Sequence, residues 1–161
     1  MAKMTPEEID DLLNKPLPAV VATVNPDGTP QLTPIWYDWD GERFVFAIEK
    51  VTLKHRNILR DGRVVVCVST SPVAERYVTL RGKGRLLAGP AKPWRERIWS
   101  RYVNLDMARE WIPENEDPEM VAVEVIPERI TGLSLPALLT IFEDSEATGG
   151  RGERPEAPPE R

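Results

Sequence analysis

Hydrophobic positions recur at every second residue through much of this chain, and that period predicts six strands. Residues 18–24 (PAVVATV) are rich in β-branched side chains and run into Asn25-Pro26-Asp27-Gly28, a turn signal that predicts a hairpin. The second arm, residues 29–39, carries Pro30 and Pro34, which have no N–H to give to a ladder. It reads either as an ordinary edge strand or as one whose backbone around Gln31-Leu32-Thr33-Pro34 is left free to meet a ligand. Trp39-Asp40-Gly41-Glu42 makes the next tight turn, and residues 43–48 the third strand. Residues 63–69 are a near-continuous apolar run, the mark of a strand buried on both faces. After a break at Ser71-Pro72-Val73, residues 75–87 alternate again. Tyr77, Thr79 and Arg81 fall on one side, Val78 and Leu80 on the other, and Gly82 and Gly84 permit a bulge or a bend. Residues 119–126 are the last strand, with 127–133 a short extension.

Other segments follow a helical period. Thr5-Pro6-Glu7-Glu8 has the form of a capping box with proline at the first helical position. That helix should end near Asn14 and close one end of a barrel with Ile9, Leu12 and Leu13. Residues 90–102 set Trp94, Ile98 and Tyr102 on one stripe, which reads as packing ahead of cofactor contact. Residues 104–118, polar and interrupted by prolines, are expected to form a loop or a frayed helical turn carrying Trp111.

The remaining helix is short and basic, from Thr52 to Asp61-Gly62. Thr52 as N-cap leaves the N–H groups of Leu53, Lys54 and His55 pointing outward at the positive end of the helix, where anions bind, and Lys54 adds a full charge. Lys50, Lys54, Arg56, Arg60 and Arg63 against Asp61 make this the one strongly cationic segment. It is either a phosphate cradle at a barrel edge or a connecting helix with a solvated basic face.

Hairpin spacing with one helix inserted between strands gives a mainly β class: an antiparallel barrel with peripheral helices. A chain of 161 residues supports one such core. Residues 134–142 (SLPALLTIF) are apolar but too short to span a membrane, and pack on the body or on a partner subunit. Residues 143–161, rich in Pro, Gly, Glu and Arg, read as a disordered acidic tail. The net charge of −5 argues against nucleic acid as a partner. Cys67 is the only cysteine, read as a small core residue, so no internal disulfide forms and a cytoplasmic location is expected. One histidine, His55, and no CxxC pair leave no metal site and no ready triad. The N-terminus lacks the apolar core of an export signal, and no membrane association is expected.

The segments PAVVATVNPDGTPQLTPIWYDWDGERFVFAIEK, TLKHRNILRDGRVVVCV, RYVTLRGKGRLL and MVAVEVIPERITGL, in that order, resemble the FMN-binding split-barrel superfamily that includes pyridoxamine 5′-phosphate oxidase. Within it they are most similar to the branch of small deazaflavin (coenzyme F420) oxidoreductases. The resemblance implies a six-stranded antiparallel split barrel as a cofactor-binding domain over residues 1–133, and a homodimer with cofactor clefts at the subunit interface. Carried onto this chain, it places Gln31, Leu32, Thr33 and Pro34 along the tricyclic ring and Ala47 and Ile48 at the end of the adjacent strand. Thr52, Leu53 and Lys54 fall at the phosphate with Lys50 in support, and Tyr77 and Arg81 face the cleft from the same or the opposite subunit. The chain departs from relatives at Thr52, where a basic residue is frequent, and at Pro34, where some have a polar one.

The implied activity is hydride transfer from reduced F420 to a conjugated small-molecule acceptor, with the cofactor supplying the reactive centre and the protein its position. No catalytic side chain is named; Tyr77 is the protein group best suited to give a proton. A cationic groove through Lys50, Arg56 and Arg60 suits the acidic tail of F420. FMN is the alternative cofactor, in an oxidase or reductase of the same fold. A non-catalytic carrier is a further rival, and a heme protein is disfavoured because His55 would be its only imidazole. Trp36 and Tyr37 are expected to shape the substrate pocket.

Overall fold

The expected alternation is realised as one curled antiparallel sheet. The computed structural model describes residues 1–71, 74–112 and 119–135. The break at Pro72-Val73, the proline-rich stretch 113–118, the tail 143–161 and all but the first two residues of the apolar segment 134–142 lie outside these. The elements in order are β1 (Ala2–Lys3), α1 (Pro6–Asn14), β2 (Ala19–Val24), β3 (Pro30–Ile35), β4 (Asp38–Trp39), β5 (Phe44–Glu49) and α2 (Leu53–Arg60). They continue with β6 (Arg63–Ser69), β7 (Arg76–Leu86), α3 (Lys92–Trp99), α4 (Leu105–Trp111) and β8 (Met120–Ser134). The sheet runs β3-β2-β6-β7-β8-β5-β4, with β1 added on β8. The six long strands are the six expected; the two-residue β4 makes a seventh on the path and β1 an eighth beside it.

Inward-facing residues of these strands, among them Val21, Phe44, Phe46, Val66, Val68, Val78, Leu80, Val123 and Val125, form the core. Each large side chain buried this way contributes roughly 1.5–3 kcal/mol. α1 closes one end by adding the fully buried Leu12 and Leu13. Its start is the capping box that its sequence announced: the Thr5 N–H donates to Glu8 Oε2 at 2.8 Å and the Glu8 N–H to Thr5 Oγ1 at 3.3 Å.

Three expectations are corrected. β6 is not buried on both faces: Val64, Val66 and Val68 are buried, whereas Val65 stays 37% exposed, because none of the described elements covers the outer face of the sheet there. Cys67 shares that outer face and is half-buried outside the core; burial pushes its thiol up, away from the reactive thiolate. Residues 105–111 are a true helix, α4, because Asn104 caps it: its Oδ1 accepts from the Met107 N–H at 2.8 Å. Residues 127–133, in contrast, extend the strand of 119–126 as expected, with a bulge at the join. Gly82 pairs with Pro127 but Arg81 with Arg129, so β8 carries Glu128 as an extra residue.

A buried polar knot fastens α1 and α3 to the segment between β3 and β5. Asp38, only 6% exposed, receives the guanidinium groups of Arg97 and Arg101. Arg101 also donates to the Leu13 carbonyl at 2.8 Å and lies over the Tyr37 ring. Tyr37 donates its hydroxyl to that same Leu13 carbonyl, and Trp39 Nε1 donates to Asp10 at 2.7 Å. Tyr102, just past α3, accepts from the Tyr37 N–H and donates to the Leu17 carbonyl at 3.0 Å. Nearer β8, the buried Glu124 is held between Arg43 and Arg85.

At Gly82 a Cβ would stand 2.5 Å from the Ile126 carbonyl oxygen, a backbone atom that cannot swing aside. Gly82→Ala is therefore expected to lower stability by about 1–3 kcal/mol, read as a drop in the urea midpoint. An unchanged midpoint would mean that the bulge does not need this close approach.

Candidate functional site

The sheet curls but does not close, and β3 at one end and β5 beyond the two-residue β4 at the other leave backbone unpaired. In the β2–β3 hairpin the Asn25 N–H donates to the Thr29 carbonyl at 2.8 Å. Opposed residues alternate between bonded and non-bonded pairs, so the pairs Val24–Pro30, Ala22–Leu32 and Val20–Pro34 are non-bonded. Pro30, Leu32 and Pro34 thus turn their backbone outward. The prolines sit where a missing N–H costs no ladder bond, and the free edge shows three carbonyls and the single N–H of Leu32. β3 is an edge strand, as one of the two readings of its prolines held.

The other edge belongs to β5. Its pairing with β4 ends at Asp38–Val45. The Lys50 N–H donates to the Glu119 carbonyl, so by the same alternation Ala47, opposite Ala122, turns its N–H and C=O away from β8. The two edges meet: Ile35 and Trp36 at the end of β3, Ala47 on β5, and Ile98 and Trp99 on α3 line one cavity of about 220 Å³.

α2 opens directly beyond β5. Thr52 is its N-cap, accepting from the His55 N–H at 3.3 Å and donating to the Glu49 carbonyl at 2.8 Å. Val51 ahead of it has φ +60°, a left-handed conformation that a β-branched residue adopts only under strain. Lys54 is half-buried and makes no ion pair among the described residues. Burial pushes its ammonium down from the usual lysine value, with Glu49 acting weakly against that. The body of α2 is tied to the hairpin: Asn57 donates to Thr23 Oγ1 at 3.1 Å and to Asn25 Oδ1 at 2.9 Å. Gln31, opposite Thr23, has a buried Oε1 with no donor, and His55 Nδ1 is likewise buried and unmatched.

The residues expected from sequence divide accordingly. Gln31 and Thr33 take the half-buried face of β3, while Leu32, 62% exposed, and Pro34 take the other; a strand cannot aim all four side chains at one ring. Ala47 reaches the opening, whereas Ile48 is 3% exposed in the core. Thr52, Leu53 and Lys54 form the first turn of the helix region as expected, with Lys50 exposed just before it. The basic groove is shorter than expected. Arg60 bends back to the Val24 carbonyl and Arg63 is paired with Asp61 at 2.6 Å, leaving Arg56 exposed on the helix. Tyr77 and Arg81 stand apart, on the outer face of β7 opposite Leu133 and Arg129, where with Thr79 and Thr131 they line a depression of about 250 Å³. Met120, beside the α2 entrance, and Arg129 are nine residues apart along β8, roughly 30 Å of extended strand. None of the α2 residues lines that depression.

Ile35, Ile98, Trp99 and Arg129 were not foreseen. Ile98 fell within a stripe read as packing, Trp99 lay beside that stripe and was not singled out, and only the register of the bulge sets Arg129 against Arg81. Among the described residues no group of three His, Cys, Asp or Glu could hold a metal, and no helix is long and apolar enough to cross a membrane.

An antiparallel barrel left open between two strand edges, with a helix entrance beyond one of them, defines a split-barrel protein. The chain belongs to the pyridoxamine 5′-phosphate oxidase family, whose model matches residues 5–134. Among solved structures it is similar to an F420 reductase at 30% identity, covering 78% of this chain and 98% of that one with a TM-score of 0.61. It is also similar to a conserved hypothetical protein from Mycobacterium tuberculosis at 25% identity, covering 84% and 88% with a TM-score of 0.70. A FAD-binding protein from Mesorhizobium loti shares the fold at 19% identity, covering 81% and 95% with a TM-score of 0.62. Among curated proteins none matches this chain.

Burial disfavours the charged form of Lys54, so the unfolded chain holds that proton more tightly than the folded one. The contribution of this lysine to stability is therefore lowest at neutral pH and rises as pH climbs from its lowered folded-state pKa to the ordinary value of 10.5. Lys54→Met should melt at or above the wild-type temperature at pH 7, and that advantage should shrink in alkaline buffer. A lower melting temperature at pH 7 would instead mean that the ammonium stabilises the fold.

Proposed function

We propose that this chain is a homodimeric F420-dependent reductase acting on a conjugated small-molecule acceptor. The observation that carries this is a half-buried ammonium, Lys54, that makes no ion pair among the described residues, placed at a capped helix entrance beside two unpaired strand edges. A structural gain would not require a desolvated cation in that place; an anionic ligand would. The similarity to an F420 reductase supports the same assignment.

The residues fit such a group. A flavin-type ring presents N–H and C=O groups along one edge. The β3 edge offers the complementary set in the Leu32 N–H and the carbonyls of Pro30, Leu32 and Pro34, and Gln31 Oε1 is a further acceptor lacking a donor. Thr52, Leu53 and Lys54 would hold the phosphate, with Lys50 nearby. When bound, the cofactor supplies a hydride donor. The protein orients the ring along β3, neutralises the phosphate and keeps water from the face covered by the Ile35, Ala47 and Trp99 side chains.

FMN is the second reading, and one observation favours it. With Arg60 and Arg63 engaged elsewhere, less free positive charge remains for a long acidic tail, and FMN ends at its phosphate. Two features speak for the homodimer. Val20, Leu32 and Val65 are 39%, 62% and 37% exposed on one outer sheet face, which a second copy would cover. The distance along β8 between the α2 entrance and Arg81 means that the partner subunit would bring Tyr77 and Arg81 to the cofactor.

Titrating F420 and FMN side by side into wild type and Lys54→Ala tests the cofactor. F420 should bind more tightly to wild type, and the substitution should weaken it about tenfold or more, as for loss of a charge-assisted phosphate contact. Tighter binding of FMN transfers the assignment to FMN; equal affinity of both proteins removes Lys54 from the site. In sedimentation, wild type should run as a dimer and Val65→Glu as a folded monomer. A monomeric wild type overturns the dimer.

A further inference from the structure

We propose that the cavity formed by Ile35, Trp36, Ala47, Ile98 and Trp99 admits a flat, uncharged, conjugated ring and excludes anions, which makes it the acceptor pocket of the reductase. This rests on the reading that the cofactor lies along the β3 and β5 edges. At about 220 Å³ the cavity is smaller than the roughly 300–1,000 Å³ of pockets for drug-sized ligands, so it suits one small ring system.

None of its five lining side chains is charged. An anion entering it would lose hydration and touch no charged side chain, because Arg95 reaches the Trp99 ring without lining the cavity. A cation is disfavoured as well. The guanidinium of Arg95 lies over the Trp99 ring at 5.6 Å, so the protein has placed its own cation there.

The shape favours a plane. Trp36 and Trp99 meet at 84° with centroids 5.6 Å apart, two aromatic walls at a right angle; a flat ring stacked on one offers its edge to the other. Both walls are braced from behind. Tyr102 stacks on Trp36 at 4.7 Å and 5°, and its hydroxyl is fixed between the Tyr37 N–H and the Leu17 carbonyl. Trp111 of α4 packs against Trp99 at 6.2 Å, near perpendicular. Walls held this way have little side-chain freedom left to lose on binding. Trp36 and Trp99 are thereby specificity-determining residues.

The test uses the full chain without cofactor and two probes that differ by one charge, 1,4-naphthoquinone and its 2-sulfonate, titrated by calorimetry and by quenching of tryptophan fluorescence. The neutral quinone should bind saturably and the sulfonate about tenfold or more weakly; Trp99→Leu should weaken the quinone by a similar factor. Ala47→Leu, which fills the cavity from β5, should do the same, and decides the matter if Trp99→Leu does not fold. Equal binding of the two probes, or quinone affinity unchanged in the folded variants, overturns the proposal. Since no cofactor is present, this outcome is independent of the Lys54→Ala titration, and failure of either reading is seen without the other.

Discussion

An antiparallel sheet must satisfy the backbone of its terminal strands, by closing, by covering them, or by leaving them to water, and this molecule leaves its two edges facing a common opening. β3 and the part of β5 beyond its short pairing with β4 are the edges that the curl brings together, and along that seam lie the orphan acceptor of Gln31, the backbone of Leu32 and Ala47, the corner of Trp36 and Trp99, and the entrance of α2 just past Glu49. The core behind it is an ordinary β core.

The seam keeps its shape because of the knot at Asp38. A carboxylate this buried is costly unless its charge is matched, and here the guanidinium groups of Arg97 on α3 and Arg101 just past it match it. Arg101 and Tyr37 both reach the Leu13 carbonyl, so α1, α3 and the segment after β3 share one set of hydrogen bonds. Tyr102 extends that set to the ring of Trp36. The aromatic corner is thus held by polar contacts several residues away, and its geometry is inherited from the packing of helices against β4 and β5.

Much of this was legible in the chain. The alternation in residues 75–87 gave the two faces of β7 correctly, Thr5 and Glu8 announced their capping box, Thr52 its N-cap, and Gly82 the bulge. Each of these is local, decided by residues within a few positions. What was not legible depends on contacts between distant segments. Arg60 looked like free charge until the fold supplied the Val24 carbonyl. The run at 63–69 is apolar enough for burial on both sides, yet in one chain its outer face is open. α4 was obscured by the prolines that follow it, although Asn104 was a readable cap. Around the opening, the helix start at Thr52 and the place of Ala47 on its strand were readable in advance, whereas Trp99 lay beside the stripe read as packing and the alternation of β5 turns the Ile48 side chain into the core.

The prolines of β3 have a consequence for what can approach the molecule. A second polypeptide seeking to extend the sheet would need a regular row of donors and acceptors, and this margin returns only one donor between two imino nitrogens. Chain-to-chain zippering is thereby denied along this border, so the sheet can stay unsealed there without inviting fibrils.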